Sequence, residues 1–140
     1  MIVTKFGGSS LADSTQFKKV KSIIDANPAR RVVVVSAPGK RFSGDNKVTD
    51  LLYTLGSHLK YGVPDDKIWQ SIVERYKEIK ESLGLSIDIE AELAEYASTF
   101  SKDIDQGALV SRGEYFCARL MSDYLAFTFV DAADMIRFSY

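Results

Sequence analysis

Cysteine is nearly missing from this sequence: Cys117 is the only one in 140 residues. No intrachain disulfide can form, which excludes a disulfide-stapled scaffold and suits a reducing cytoplasm. Histidine is equally scarce. His58 stands near Ser57 and Lys60, with no second histidine or cysteine pair close by, and reads as a surface residue rather than a metal ligand. No apolar run is long enough for a membrane helix. The first residues lack a basic stretch followed by a longer apolar segment, so no secretory signal is expected. The formal net charge is −1, which gives no electrostatic reason to expect nucleic acid or an anionic membrane. Internal repeats and low-complexity segments are absent.

What is present is an ordinary globular composition, long enough for one domain with its own core. The chain is organised around Lys5-Phe6-Gly7-Gly8-Ser9-Ser10. Met1-Ile2-Val3-Thr4 ahead of it reads as a first strand. Asp13-Ser14-Thr15-Gln16 behind it leads into a helix, with Asp13 and Gln16 at capping-box spacing. Glycines let the backbone come close to a ligand, and free N–H groups at a turn and helix start attract anions. Spacing alone leaves two readings open: a phosphate cradle topped by Lys5, or a tight β–α turn with a surface lysine.

Further along, Phe17, Val20, Ile23 and Ile24 share a helical face, and the helix should stop near Asn27-Pro28. Val32-Val33-Val34-Val35 shows no alternation and predicts a strand buried on both faces of a parallel sheet. A right-handed β–α–β unit follows. Ser36-Ala37-Pro38-Gly39 lies past the carboxyl end of that strand, where open α/β sheets bind ligands. Lys40 to Lys47 reads as a basic surface loop. It is not a Walker A loop, since Arg41 follows Gly39-Lys40.

Val48, Leu51, Leu52, Leu55 and Leu59 form the next helical stripe, with Thr49 and Asp50 in its first turn. Thr49 reads as a cap; Asp50 complements the helix dipole. Residues 61–104 read as a helical insertion beside the sheet. Its stripes are Ile68, Ile72, Tyr76, Ile79 and Leu83, then Ile89, Leu93, Tyr96 and Phe100. Glu74, Glu78, Glu81, Glu90, Glu92 and Glu95 read as a solvated face, and these helices show no chemical constellation. Asp105 to Leu125 predicts one long helix, with Gly113 small enough to admit a neighbour beside Glu114. Cys117 on it reads as a core thiol. Phe127-Thr128-Phe129-Val130 predicts a third strand, with Asp131 at its carboxyl end.

Lys-Phe-Gly-Gly-Ser-Ser at the N-terminus resembles the opening of the aspartate kinases, within the amino-acid kinase superfamily. Val33-Val34-Val35-Ser36-Ala37, Val48-Thr49-Asp50-Leu51-Leu52 and Ser111-Arg112-Gly113-Glu114 are similar to later segments of that family, in the same order. The resemblance implies an α/β three-layer sandwich with a mainly parallel sheet. It covers the chain as the amino-terminal part of a catalytic domain, so the sandwich should be incomplete.

The resemblance also implies a reaction. ATP, with Mg2+, gives its γ-phosphoryl group to the side-chain carboxylate of L-aspartate, opening lysine, threonine and methionine biosynthesis. By it, Lys5 neutralises the phosphoryl group, and Gly7, Gly8 and Ser9 cradle it. Ser36 and Thr49 orient the acceptor, and Glu114 holds its ammonium; Arg112 receives no role. A carboxylate acceptor, ordinarily titrating near ~3.9, needs no general base. Two alternatives stay open: a kinase for another carboxylate or a carbamate, and a non-catalytic anion-binding module. Residues 1–140 alone should lack turnover, because the resemblance places the nucleotide-base loops in a second half-domain. An uncovered strand edge or sheet face should favour homo-oligomers.

Overall fold

β1 (Ile2–Phe6) and β2 (Arg30–Val35) are joined through α1 (Ser14–Asp25) in a structure, a computed structural model, that describes residues 1–139. A helical crossover lets two neighbouring strands run parallel. These do, with Lys5 opposite Val34 and Phe6 opposite Val35. α1 begins at its expected cap, where Asp13 Oδ1 accepts from the Gln16 amide at 3.0 Å. It ends ahead of Asn27-Pro28. Phe17, Val20 and Ile24 are buried; Ile23, expected on the same face, is exposed.

Side chains alternate across a strand, so the two faces of this sheet can be told apart. Phe6 and Val35 are buried under the helices. Val3, Val32 and Val34 are 59%, 38% and 44% exposed on the opposite face. The four valines therefore do not form a strand buried on both faces. The helices gather on one side, and among the described residues nothing covers the other. The parallel α/β architecture is present, with one helical layer on a two-stranded sheet.

That layer consists of α2 (Val48–Tyr61), α3 (Asp66–Leu83), α4 (Ile89–Ala97) and α5 (Gln106–Leu125), besides α1. Their apolar stripes merge into one core around Leu52, Tyr76, Leu93, Phe116 and Leu120. α3 touches α1, α2, α4 and α5, so it lies among helices. Glu74, Glu78, Glu81 and Glu95 are exposed, as a solvated face requires, while Glu90 and Glu92 are half-buried. Glu78 reaches Arg41 at 3.2 Å, Glu90 reaches Lys80 at 2.8 Å and Glu92 reaches Arg119 at 2.6 Å. Such partly exposed pairs contribute at most about 1 kcal/mol each. Cys117 is fully buried, and burial pushes its thiol well above the ordinary range, as a core residue requires.

Phe127–Val130 is not the third strand that its composition predicts. α5 ends at Leu125, and a single residue, Ala126, turns the chain in the left-handed conformation (φ 54°, ψ 39°). The Phe127 amide then closes on the Ser122 carbonyl at 2.9 Å. Phe129 settles against the Tyr115 ring, 5.3 Å between centroids, and beneath the Arg119 guanidinium. The segment runs alongside β2 across a gap of about 190 Å³, without pairing to it. Packing to α5 has prevailed over β-propensity. Asp131 is accordingly not a strand end. It caps the short α6 (Ala132–Met135), accepting from the Ala133 amide at 3.0 Å.

Ala126 carries a side chain where helix ends favour glycine. Replacing it with glycine removes a left-handed strain of roughly 1–2 kcal/mol, offset in part by unfolded-state entropy. Ala126→Gly is expected to stabilise the chain by about 0.5–1 kcal/mol in urea unfolding. A loss of stability would show that the strain is absent.

Candidate functional site

The site forms where β1 and β2 run out together. Phe6 and Val35 are in register, so the two following loops leave the sheet side by side. The Ser36 amide donates to the Phe6 carbonyl at 3.2 Å, extending the ladder by one rung. The Gly39 amide then donates to the Gly8 carbonyl at 2.8 Å. No side chain fits between them. A Cβ on Gly39 would sit 2.7 Å from the Gly8 carbonyl carbon, and one on Gly8 3.0 Å from the Ala37 oxygen. These two glycines are fixed by the contact of one loop with the other.

Gly7 differs. Its φ is −81°, open to any residue, and a Cβ there would meet nothing within 4 Å. Neither backbone conformation nor packing calls for glycine at this position. After it, Gly8–Leu11 forms a short 3-10 turn in which the Ser10 amide bonds the Gly7 carbonyl at 3.0 Å. The Gly8 and Ser9 amides make no hydrogen bond to the described protein, and so remain available to an anion.

α2 is tied to the second loop at its first residue: the Val48 amide donates to the Pro38 carbonyl at 3.0 Å. This brings Thr49 beside Ser36. α5 crosses the same loop at Gly113, where a Cβ would collide with the Ala37 methyl at 2.8 Å. The small residue ahead of Glu114 therefore admits a neighbouring loop. Tyr76 secures this crossing from α3, its buried hydroxyl donating to the Gly113 carbonyl at 2.7 Å. Burial holds the Tyr76 hydroxyl protonated, pushed well above its ordinary pKa.

The result is an open cleft of about 510 Å³, lined by Gly8, Ser9, Ser36, Thr49 and Glu114 among others. Five of the seven residues singled out from sequence thus meet in one place. Lys40 and Lys47, read from sequence only as part of a surface loop, line it too and bring positive charge. Lys5 and Gly7 do not line it. Phe6 points into the core, so alternation turns Lys5 to the open face of the sheet. Arg112 stacks on the Tyr115 ring, 4.4 Å from its centroid. His58 bonds the Pro64 carbonyl through Nδ1 at 2.9 Å, as a surface residue closing the α2–α3 turn.

Lys40 to Lys47 is not a free surface loop. Asp45 is buried, and its carboxylate accepts from the Arg41 backbone amide at 3.0 Å and from Arg41 Nε at 2.7 Å. These bonds hold the Asp45 carboxyl well below the usual carboxylate range. Arg75, from α3, lies 3.4 Å from the same carboxylate. Arg75 was missed in the sequence, where one arginine between Glu74 and Glu78 looks like part of a solvated face. Its one sequence signal is position: Arg75 stands three residues after buried Ile72, on the buried stripe of its helix.

The sequence matches the Amino acid kinase family over residues 1–139. It is 45% identical over 89 residues to Aspartokinase 3 of Bacillus subtilis, covering 64% of this chain and 20% of that protein. The structure is similar to that of Clostridium acetobutylicum aspartate kinase, with a TM-score of 0.91 and 45% identity over 95% of this chain and 31% of that one. It is also similar to E. coli aspartokinase III, solved with aspartate and ADP, with a TM-score of 0.67 and 28% identity over 90% of this chain and 29% of that one. The chain thus spans between a fifth and a third of the length of these relatives. With the family matched over every described residue, and with the shared segments converging on one cleft, the chain belongs to the amino acid kinase family.

Proposed function

We propose that this chain forms the phosphate turn and the acceptor pocket of an aspartate kinase. The reaction moves the γ-phosphoryl group of ATP to the side-chain carboxylate of L-aspartate, giving 4-phospho-L-aspartate. The observation that carries this reading is the cleft itself. Its lining combines the unpaired backbone amides of Gly8 and Ser9, two lysines, three hydroxyls and one carboxylate.

ATP supplies an activated phosphoryl group to a site made for anions. Gly8 and Ser9 present amides to it, and Gly7, with no packing reason to be glycine, lets the backbone approach. Lys5 meets the developing charge from the open side of the sheet. Ser36 and Thr49 donate hydroxyls to the acceptor and orient it; Glu114 pairs with its ammonium. The acceptor carboxylate is already ionised, so positioning and charge neutralisation suffice, as phosphoryl transfer generally requires. Mg2+ enters with the nucleotide phosphates in this reading. No cluster of three or more acidic, histidine or cysteine side chains suited to a metal forms among the described residues. No described helix is long and apolar enough to cross a membrane.

A second reading has one observation in its favour. The unpaired edge of β2 and the open sheet face suit a module that binds anions and a partner chain without turnover. A chimera decides between them. Residues 1–139 replacing the matching part of the Clostridium acetobutylicum enzyme are expected to give aspartate-dependent ADP release. An inert chimera that folds would favour the module.

In that chimera, Lys5→Ala is expected to lower kcat/KM on the order of a hundredfold or more. A change within a few-fold would remove Lys5 from the reaction. Glu114→Gln is expected to raise KM for aspartate far more than KM for ATP, by a loss of about 1.5–3 kcal/mol in acceptor binding. Equal effects on both substrates would return Glu114 to an exposed helix glutamate. The isolated chain is expected to show no turnover in the same coupled assay and to self-associate in light scattering. Robust turnover from a monodisperse monomer would overturn both expectations.

A further inference from the structure

Arg75 is the one buried cation of the described chain, with 4% of its surface exposed. It stands in the middle of α3, yet its bonds go to two separate loops, one of them held at two points. Nη1 donates to the Asn46 carbonyl at 2.8 Å. Nη2 donates to the Gly39 carbonyl at 2.6 Å and to the Ala12 carbonyl at 3.3 Å. Ala12 directly follows the 3-10 turn that Gly8 opens, and Gly39 and Asn46 are two points on the loop joining β2 to α2. Both loops line the cleft, through Gly8 and Ser9 and through Ser36 to Lys40 and Lys47. Arg75 Nε has no partner.

Burial opposes the Arg75 charge and pulls its pKa down. The Asp45 carboxylate at 3.4 Å supplies the countercharge, and Arg41 holds Asp45 in place. A lysine could not reproduce this arrangement. Its ammonium is one point with three donors, whereas the guanidinium is a rigid fork that spans carbonyls several ångströms apart.

We propose that Arg75 is the positioning residue of this site, fixing the spacing between the anion-binding turn and the acceptor loop by gathering their carbonyls from behind. The helical hairpin of α3 and α4 thereby becomes part of the site's framework. The glycine contact makes the two loops touch; Arg75 keeps them there when the cleft is empty, so a ligand meets a preformed cradle. This rests on the kinase reading for the identity of the anion, and its test separates the two.

The test compares the 1–140 chain with Arg75→Met and Arg75→Lys. The methionine fills similar volume, and Asp45 keeps Arg41 as its partner. Hydrogen exchange reads the Gly39 amide, whose acceptor is Gly8, against the core amides of α5. Amide shifts at Gly8 and Ser9 under added pyrophosphate read anion binding. In both variants the Gly39 amide is expected to exchange about tenfold faster or more, with α5 protection unchanged. Pyrophosphate binding is expected to weaken by a similar factor. Unchanged Gly39 protection in both variants would overturn the proposal. So would loss of α5 protection in both, which would make Arg75 a support of the whole fold. A parent chain that ignores pyrophosphate would sink the anion reading, while Gly39 exchange would still test the clamp.

Discussion

The hydrogen bond from the Gly39 amide to the Gly8 carbonyl, 2.8 Å long, governs the geometry of everything around it. It exists because β1 and β2 are parallel and end in register, so their loops leave from neighbouring points on one edge. It survives because neither residue carries a Cβ. From that contact outward each element is positioned in turn. Pro38 holds the start of α2, Ala37 fits against Gly113, and Glu114 follows on the next position of α5. A site assembled this way tolerates little error. A methyl group at Gly39 would push the loops apart at the point where a ligand needs two amides and a hydroxyl within a few ångströms.

Such a contact leaves several backbone carbonyls turned inward, away from water, and buried carbonyls need donors. Arg75 supplies them. Its burial is unfavourable taken alone, since desolvating a charge costs more than a neutral hydrogen bond returns. The arrangement becomes tenable through Asp45, which is anchored by Arg41 through both backbone and side chain. A charged cluster of this kind adds little net stability compared with an apolar core. What it supplies is directional: a fork of N–H groups that reaches carbonyls of two loops at once.

Much of this was legible in the sequence. The strand–glycine–helix opening and the four helical stripes are local patterns, and local patterns survive into the fold. Ser36, Thr49 and Glu114 were found through the segments around them, and the cleft joins them. The misses have physical causes. Arg75 depends on carbonyls 29 to 63 residues away, which no window of sequence contains. Asp45 reads as any acidic loop residue, because the helix that buries it lies some thirty residues further along the chain. Phe127–Val130 has the composition of a strand, yet Phe129 finds Tyr115 and Arg119 before it can pair. Val32 and Val34 are exposed because no described element packs on their face, and a strand's own sequence does not record whether a second layer covers it.

That uncovered face bears on the chemistry. Lys5 lies on it, while Ser36, Thr49 and Glu114 open from the cleft beside the helices. The glycine turn sits at the sheet edge between them, with the exposed Gly7 at its head. Under the kinase reading the two substrates therefore come from different sides. In that proposal the acceptor takes the cleft, and the nucleotide takes the side of the glycine turn where Lys5 lies. Such a division accounts for Lys5 standing apart from Ser36, Thr49 and Glu114, while Lys40 and Lys47 bring positive charge to the cleft itself.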